Sequence, residues 1–315
     1  MTLQATPPRG GFIHPALFYG SDDDYLSTLV PFITDGVANG EPVAVAVPGA
    51  RLELLREALG TAADDVRMLD MEEVGRNPGT IIPTVLRRFA DTHRDRHVRI
   101  IGEPIWAGRT ATEYPACAQH EALINLAFAG RDVTIVCPYD TSTLDDRALA
   151  DALATHPTVW NADERRDSDH YAPEAVVSLY NQPLDVGQDP VDLVITTTAE
   201  IRDVRRLVDA WAPRWGLATD RVADLQLVAT ELVTNSLRYT GAGCRVRFWL
   251  DGETLVCAVE DTGRLTDPLA GRRPPEPGQH GGQGLLLVNQ LVDLVRVHTS
   301  PRGTTVYTFL ALSAP

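Results

Sequence analysis

Two polar residues four positions apart, Glu231 and Asn235, lie within an apolar helical pattern in the second half of the chain. The pattern consists of residues that recur at steps of three and four: Val222, Leu225, Ala229, Leu232 and Ser236. This spacing predicts a helix with one buried stripe. A step of four also places Glu231 one turn from Asn235 on a shared face. A carboxylate and a carboxamide so placed can hold a divalent cation and polarise a water or hydroxyl. The alternative is a solvated helix face.

Three glycine-containing motifs follow this helix along the chain. Residues 255–261 are predicted to form a strand that ends at Asp261, with Gly263 two positions later. Gly282 and Gly284 precede an apolar helix that runs to residue 291, and residues 303–307 form a predicted β-branched strand. Amides at a helix N-terminus suit phosphate oxygens, and a strand-end carboxylate can accept a hydrogen bond from an amino group. The alternatives are an ordinary glycine-rich turn and a strand-end cap.

In this order, the motifs resemble the GHKL ATP-binding fold, and most closely its anti-sigma-factor serine kinases. They read Glu231-x-x-Thr-Asn235, Asp261-x-Gly263, Gly282-x-Gly284-Leu285 and Gly303-Thr-Thr305. The resemblance covers residues 192–315 and implies an α+β (Bergerat) sandwich that binds ATP with Mg²⁺. It implies that Glu231 is the catalytic base, that Asn235 binds Mg²⁺ and that Asp261 accepts a hydrogen bond from adenine. The other nucleotide-binding residues it implies are Gly263, Gly282, Gly284, Leu285 and Thr305, the threonine supporting the adenine end through water.

The same resemblance implies a sigma factor and a STAS-type anti-anti-sigma antagonist as partners, with phosphoryl transfer to a Ser or Thr of the antagonist. Two departures bear on transfer more than on ATP binding. Arg264 stands where the family often has a second glycine, and the segment 279–281 lacks the arginine often found before the Gly-x-Gly motif. A non-catalytic, ATP-dependent partner-switching module and a histidine kinase acting in trans therefore remain alternatives. No histidine-bearing phosphoacceptor helix precedes the domain, which weighs against the histidine kinase.

The first half of the chain alternates short apolar strands with helical segments. Predicted strands cover residues 43–47, 66–69, 98–101 and 133–137, and predicted helices cover 51–59, 81–93, 113–129 and 173–180. Strands that are apolar on both faces and separated by helices favour an α/β domain with a parallel sheet. Ligands of such sheets bind beyond the carboxyl ends of the strands. A phosphate loop is not predicted, because residues 48–50 lack the Gly-Lys-Ser/Thr pattern.

Several polar residues of this half are candidates for a sensory ligand site, for either a small molecule or a metal. They are His14, Glu103, Cys137, Tyr139 and His156. The segments that contain them, 14–19, 102–104, 137–140 and 156–157, resemble the MEDS sensory domain, a RecA-like α/β unit of bacterial regulators. The alternative for each residue is a satisfied core or capping role.

Length and composition indicate the domain boundaries, the kind of partner and the cellular setting. The boundaries expected are a MEDS-like domain at 12–185, a linker at 186–191 rich in Pro, Gly and Asp, and a GHKL domain at 192–315. A net charge of −15 disfavours nucleic-acid and anionic-membrane surfaces and suits a basic protein partner. Four scattered cysteines without metal-binding spacing favour a reducing, cytoplasmic setting. A homodimer is compatible with this organisation, and the sensed small molecule is unknown.

Overall fold

The computed structural model describes residues 11–274 and 283–313. The chain divides into two compact units. The first comprises the chain up to Arg76 together with Ile81–Ser178, and the second comprises Asn77–Thr80 together with the chain from Leu179 onward.

The first unit contains a seven-stranded sheet in the described part of the chain, with strand order β3-β2-β4-β5-β1-β6-β7. Its strands are β1 (Pro15–Tyr19), β2 (Val43–Val47), β3 (Arg67–Asp70), β4 (Val98–Gly102), β5 (Val133–Asp140), β6 (Thr158–Trp160) and β7 (Arg165–Asp167). All neighbours pair in parallel except β6 and β7. The N-terminal fold is therefore a mostly parallel α/β sheet, as the apolar strands predict.

The helical segments of the first half lie between these strands or follow the last of them. They are α1 (Asp22–Ala38), α2 (Gly49–Leu59), α3 (Met71–Val74), α4 (Pro78–Thr80), a π-helical turn (Ile81–Leu86), α5 (Arg87–Asp91), α6 (Tyr114–Ala127), α7 (Asp146–Thr155) and α8 (Pro173–Leu179). The predicted helix over 81–93 is instead divided between the π turn and α5. The polar segment 161–170, for which no strand is predicted, contains β7.

Alternation of side chains separates the two faces of this sheet. One face packs against α1 and α2 through a core that includes Leu17, Tyr19, Val45, Ile101 and Val136. Residues one position along the same strands point to the opposite face. This division decides which of the predicted sensory residues can meet.

The second unit contains a five-stranded antiparallel sheet, with strand order β11-β12-β10-β9-β8 in the described residues. The strands are β8 (Val191–Ile195), β9 (Cys244–Asp251), β10 (Thr254–Asp261), β11 (Leu294–Ser300) and β12 (Gly303–Ala311). Gly252 supplies the positive φ of 58° at the β9–β10 turn, as the Asp-Gly pair predicts. An antiparallel sheet with helices is consistent with the GHKL ATPase fold.

Three helices of this unit are α9 (Ile201–Trp215), α10 (Thr219–Thr240) and α11 (Gly284–Leu291). Their apolar stripes share one core with the sheet, represented by Val208 of α9, Val228 of α10, Val288 of α11 and Phe248 of β9. The α10 N-cap is Ala218, without a side-chain capping bond. Thr219 and Asp220, whose side chains are suited to capping, already lie in the first turn of the helix.

The sheet face opposite these helices is covered in part by the segment that precedes β8. The amide of Leu184 donates to the Tyr307 hydroxyl at 3.2 Å. The side chain of Asn181 bonds both the amide and the carbonyl of Thr299. Gly187 lies against Trp249 so closely that a Cβ there would be 2.2 Å from the ring. Residues around the predicted linker thus pack onto the second unit. In the described parts of the chain, the helices are all too short or too polar to cross a membrane.

Candidate functional site

A cavity of about 680 Å³ opens in the second unit between α10, α11 and the segment that follows β10. This volume is in the usual range for small-molecule sites. Its polar lining includes Asn235, Ser236, Asp261, Arg264, Asp267, Arg273 and Thr304, and its apolar lining includes Leu232, Val259, Leu285, Leu286 and Val306. The cavity therefore combines an apolar body with polar groups at its edges.

Asp261 lies at the end of β10 and faces this cavity. Its Oδ2 accepts a hydrogen bond from the Ser236 hydroxyl at 2.5 Å, and its Oδ1 accepts one from the Gly263 amide at 2.8 Å. Both bonds fix the orientation of the carboxylate. Because each carboxylate oxygen has two lone pairs, Asp261 still has acceptor capacity for an amino group in the cavity.

Gly263 holds this turn close to α10. A Cβ at position 263 would lie 2.8 Å from the Thr240 methyl group and 3.1 Å from Asp261 Oδ1. The lack of a side chain therefore lets the backbone approach both the helix and the carboxylate.

Glu231 and Asn235 meet the start of α11 at position 284. A Cβ on Gly284 would lie 2.7 Å from Glu231 Oε2 and 3.1 Å from Asn235 Nδ2. The helix N-terminus is therefore in direct contact with the two polar residues of α10. Leu285 follows and lines the cavity. Gly282 and the segment 279–281 lie outside the described residues.

The threonine that lines this cavity is Thr304, whereas the predicted Thr305 lines a smaller cavity. Thr304 Oγ1 donates to the Gly263 carbonyl at 2.9 Å and accepts from the Leu265 amide at 3.1 Å. Thr305 points to the opposite face of the sheet, because neighbouring residues of a strand alternate in direction. The Gly-Thr-Thr motif contains both residues, and only the register of β12, which pairs Thr304 with Asp261, distinguishes them.

Two arginines line the cavity in the segment after β10. Arg273 forms an ion pair with Asp267, whereas Arg264 is exposed. Arg264 is the residue that replaces the glycine expected from the resemblance. Its guanidinium provides a cationic group at the cavity where anionic phosphates would be stabilised.

These residues fit a Mg-nucleotide. An acceptor for an amino group, Asp261, lies at one part of the cavity lining, while Asn235, Glu231 and the α11 N-terminus meet at another. The apolar residues between them offer surface to a planar ring. The carboxamide oxygen of Asn235 is a suitable Mg²⁺ ligand.

In the first unit, four buried side chains converge: His14, Glu121, Cys137 and His156. One potential ligand atom from each lies within 4.8 Å of the others. His14 immediately precedes β1, Cys137 lies within β5, and His156 is the C-cap of α7, two residues before β6. The cluster lies on the sheet face opposite α1 and α2, so these side chains meet on a face of the sheet and not beyond its strand ends.

Glu121 of α6 is the member of this cluster that the sequence analysis missed. Its signal was a carboxylate within a helix whose neighbours Ala118, Ala122 and Ile124 are apolar and buried. Such a charge is rarely buried without a partner. Burial, together with His156, lowers the pKa of His14 to about 4. Burial also raises the pKa of the Cys137 thiol well above its usual value.

Glu103 lies apart from this cluster, so the five predicted sensory residues do not form one group. It is buried on the α1 and α2 face, where the Tyr19 and Tyr25 hydroxyls donate to its two oxygens at 2.9 and 3.2 Å. Burial raises the pKa of Glu103 to about 8. The Arg51 guanidinium lies over both tyrosine rings.

Tyr139 is on the same side of β5 as Cys137. Its buried ring packs edge-on against His156 at a centroid distance of 5.5 Å. It is therefore a packing neighbour of the histidine cluster.

Comparison with known families gives two matches along the chain. Residues 13–157 match the family described as the MEthanogen/methylotroph, DcmR Sensory domain, abbreviated MEDS. Residues 195–308 match the histidine kinase-like ATPase domain. No curated protein matches.

A solved structure that resembles part of the chain contains the RsbU and RsbW domains of a Mycobacterium tuberculosis protein. The identity is 22%, the TM-score is 0.32, and the match covers 41% of this chain and 34% of that one. The match therefore spans about a third of the solved chain. From the two family matches and the folds of the two units, the chain consists of a MEDS sensory domain followed by a histidine kinase-like ATPase domain.

Proposed function

We propose that the protein is an ATP-dependent regulator that sequesters a sigma factor and phosphorylates a Ser or Thr of a STAS-type antagonist. The observation that supports this proposal is the meeting of Glu231, Asn235 and the Gly284 end of α11 at a cavity that also exposes Asp261. Because sigma factors act in the bacterial cytoplasm, the proposal places the protein there. The MEDS domain would supply the signal input.

Each cavity residue has a role in this proposal. Asp261 accepts from the adenine amino group while Ser236 and the Gly263 amide hold its carboxylate in position. The amide end of α11 and the cation of Arg264 stabilise phosphate oxygens. When bound, Mg²⁺ supplies charge neutralisation to the phosphates, and Asn235 would hold it. Glu231 orients the attacking hydroxyl and takes its proton, since phosphoryl transfer depends mainly on positioning and electrostatics.

Nucleotide binding is tested with Asp261→Asn. Asparagine has a single acceptor oxygen where aspartate has two, and we expect ATP affinity to fall at least tenfold, or about 1.4 kcal/mol. Glu260→Gln is the matched control, because this neighbouring carboxylate is exposed and paired with Arg247 on the sheet. Isothermal titration calorimetry measures the ATP affinity of both variants. If Asp261→Asn binds ATP as tightly as the wild type, Asp261 does not accept a hydrogen bond from the nucleotide.

Transfer is tested separately from binding with Glu231→Gln. The substitution keeps the side-chain volume and removes the base, so ATP and sigma-factor binding should persist while transfer to the antagonist is lost. Radiolabelled ATP and a candidate antagonist provide the assay. Acid-stable phosphoserine or phosphothreonine in the wild type supports the kinase. Tight ATP binding without transfer supports the non-catalytic partner-switching module, and an acid-labile product supports a histidine kinase acting in trans.

The Mg²⁺ role of Asn235 is tested by Asn235→Ala. We expect the Mg²⁺-dependent part of ATP affinity to be lost, while affinity measured in EDTA changes little. An equal loss with and without Mg²⁺ would instead assign Asn235 to the nucleotide itself.

A further inference from the structure

We propose that His14, Glu121, Cys137 and His156 bind one divalent transition-metal ion, Zn²⁺ being the ion whose ligand preferences they match. All four side chains are buried, with His14 and Glu121 fully enclosed and Cys137 only 1% exposed. The residues are distant in sequence and are brought together on one face of the parallel sheet, beneath α6.

The spacing of the ligand atoms fits a tetrahedral site. His156 Nε2 lies 3.1 Å from Glu121 Oε2, His14 Nε2 lies 3.5 Å from the same oxygen, and Cys137 Sγ lies 3.4 Å from His14 Nε2. Zinc–ligand bonds of about 2.0–2.3 Å at tetrahedral angles give ligand–ligand separations of roughly 3.3–3.6 Å. These three separations match a tetrahedral site, and the remaining pairs of ligand atoms, which lie within 4.8 Å, would have to close around an ion.

The histidine tautomers are fixed by outer hydrogen bonds. His156 Nδ1 lies 2.9 Å from the Ala152 carbonyl, which can only accept, so Nδ1 carries the proton. His14 Nδ1 faces Asn125 Oδ1 at 3.1 Å. The Asn125 amide group donates to the carbonyls of Thr155 and Ala122, which fixes its oxygen toward His14. When both imidazoles are neutral, each therefore turns an unprotonated Nε2 into the cluster, as ligating histidines do.

Without a cation, the centre of the cluster brings together groups that repel one another. With both imidazoles neutral, two nitrogen lone pairs face the Glu121 carboxylate, and the Cys137 thiol is the donor to His14 Nε2. Among the described residues, both Glu121 oxygens and His156 Nε2 lack a hydrogen-bond partner of acceptable geometry. Leaving such atoms buried and unsatisfied costs several kcal/mol. A dication bound through Glu121 Oε2 would satisfy that oxygen and His156 Nε2, and a carboxylate plus a thiolate would balance its charge.

The ligand types favour a borderline metal. Calcium and magnesium require six or more oxygen ligands, whereas thiolate and imidazole suit zinc and its neighbours. Four protein ligands in a buried cluster also make a closed site, which is typical of structural zinc. The ion would then stabilise the first unit and leave no open position for a small molecule. The four ligands lie in the first unit, and the ATP cavity lies in the second.

Metal content of the full chain provides the first test. The protein is expressed without a polyhistidine tag in zinc-supplemented medium, and its metals are measured by mass spectrometry. We expect about one zinc per chain. The chelated protein is then titrated with Co²⁺, which should produce a thiolate-to-cobalt charge-transfer band in the near ultraviolet and strong visible bands of tetrahedral cobalt.

Two cysteine variants identify the ligand. Cys137→Ser should abolish the charge-transfer band and weaken Co²⁺ binding at least tenfold. Cys117→Ser is the matched control: it removes another buried thiol of the same unit, from α6, and should leave both unchanged. Circular dichroism and ATP titration of each variant establish that the chain is folded.

Glu121→Gln offers a second approach if Cys137→Ser does not fold. It preserves shape, removes the negative charge and should weaken Co²⁺ binding at least tenfold. The proposal is overturned if the zinc-grown protein contains less than a tenth of an equivalent of any transition metal. It is also overturned if Co²⁺ gives no charge-transfer band, or if Cys117→Ser and Cys137→Ser lose it equally. In those cases the cluster is a proton-sharing core of His156 and Glu121.

Discussion

At the scale of single residues, Thr304 and Thr305 are adjacent threonines with opposite environments. Thr304 links the Gly263 carbonyl and the Leu265 amide at the edge of the cavity. Thr305 points away from it. Their difference follows from strand alternation alone, so the two positions form a natural comparison with the same side chain.

Thr304→Val should therefore reduce ATP affinity about tenfold, or about 1.4 kcal/mol, because the turn that holds Gly263 loses its hydroxyl bonds. Thr305→Val, which removes the same hydroxyl from the opposite face, should change it less than twofold. Calorimetric titrations of both variants provide the measurement. If Thr305→Val loses more ATP affinity than Thr304→Val, then Thr305, the residue first predicted, supports the adenine end.

Glu103 provides a pH dependence for the first unit. Its pKa is raised to about 8 by burial, above the ordinary 4.5. Between these values the unfolded state releases the proton that the folded state keeps, so stability is complete below pH 4.5 and falls as the pH rises toward 8. The lowered pKa of His14, about 4 in place of 6.5, acts in the opposite sense and only below about pH 6.5.

Between pH 6.5 and 8, the wild-type stability of the first unit should fall by up to about 1.4 kcal/mol per pH unit. Glu103→Gln should remove most of this slope, because glutamine does not titrate. Urea unfolding at several pH values measures it, with the exposed Glu57→Gln as the control that keeps the slope. Parallel slopes in wild type and Glu103→Gln would show that another group titrates.

The sequence grouped the ATP-site candidates more closely than the members of the buried cluster. Glu231, Asn235, Asp261 and Gly284 belong to short motifs whose local spacing already limits their geometry. The members of the buried cluster are separated by up to 142 positions, from His14 to His156, and only the order of β5, β1 and β6 in the sheet brings them together. Glu121 could not be selected without knowing which face of α6 is buried.

At the scale of elements, the contact between α10 and α11 depends on a missing side chain. Glu231 Oε2 occupies the space into which a Cβ of residue 284 would project. The flexible end of a glutamate can move, so the helices need not separate when a methyl group is added. The carboxylate would instead be displaced from the start of α11.

Gly284→Ala should reduce ATP affinity three- to tenfold, or about 0.7–1.4 kcal/mol, and reduce any phosphoryl transfer more strongly. The thermal stability should change little, since alanine favours a helix by about 1 kcal/mol relative to glycine. Gln290→Ala, at an exposed position of the same helix, is the control. ATP titration and calorimetric melting of both variants provide the comparison, and unchanged ATP affinity in Gly284→Ala would contradict the expected displacement.

Elements with strong periodicity were predicted closely, and short or irregular ones were not. Strand β2 has the bounds predicted, and α11 ends at Leu291 as predicted. Strand β7 was missed because Arg165–Asp167 is exposed and charged, so its pairing with β6 leaves no apolar pattern in the sequence. The π-helical turn at Ile81–Leu86 contains Pro83, and its departure from α-helix depends on surroundings that the sequence does not display.

At the scale of the whole molecule, the two units have separate hydrophobic cores. Domains with their own cores commonly unfold as individual cooperative units. Calorimetry of the full chain should therefore show two transitions. A ligand that binds one folded unit raises the melting temperature of that unit.

Mg-ATP at a hundred times its dissociation constant should stabilise the second unit by about 2.7 kcal/mol and raise one transition. Chelation of zinc should lower the other transition. Asp261→Asn and Cys137→Ser assign the transitions, since each variant should abolish one ligand response. If Mg-ATP raises both transitions equally, the units are thermodynamically coupled, and by reciprocity the metal must then alter ATP affinity.

The four cysteines, none of which forms a disulfide, can report the opening of each unit. Cys117 and Cys137 are buried in the first unit, and Cys244 and Cys257 in the second. A thiol reagent can modify them only when the surrounding structure opens, so the rate of modification measures the free energy of local opening. Chains that keep the proposed ligand Cys137 together with either Cys117 or Cys257 would therefore time the opening around each second thiol during nucleotide binding and partner exchange.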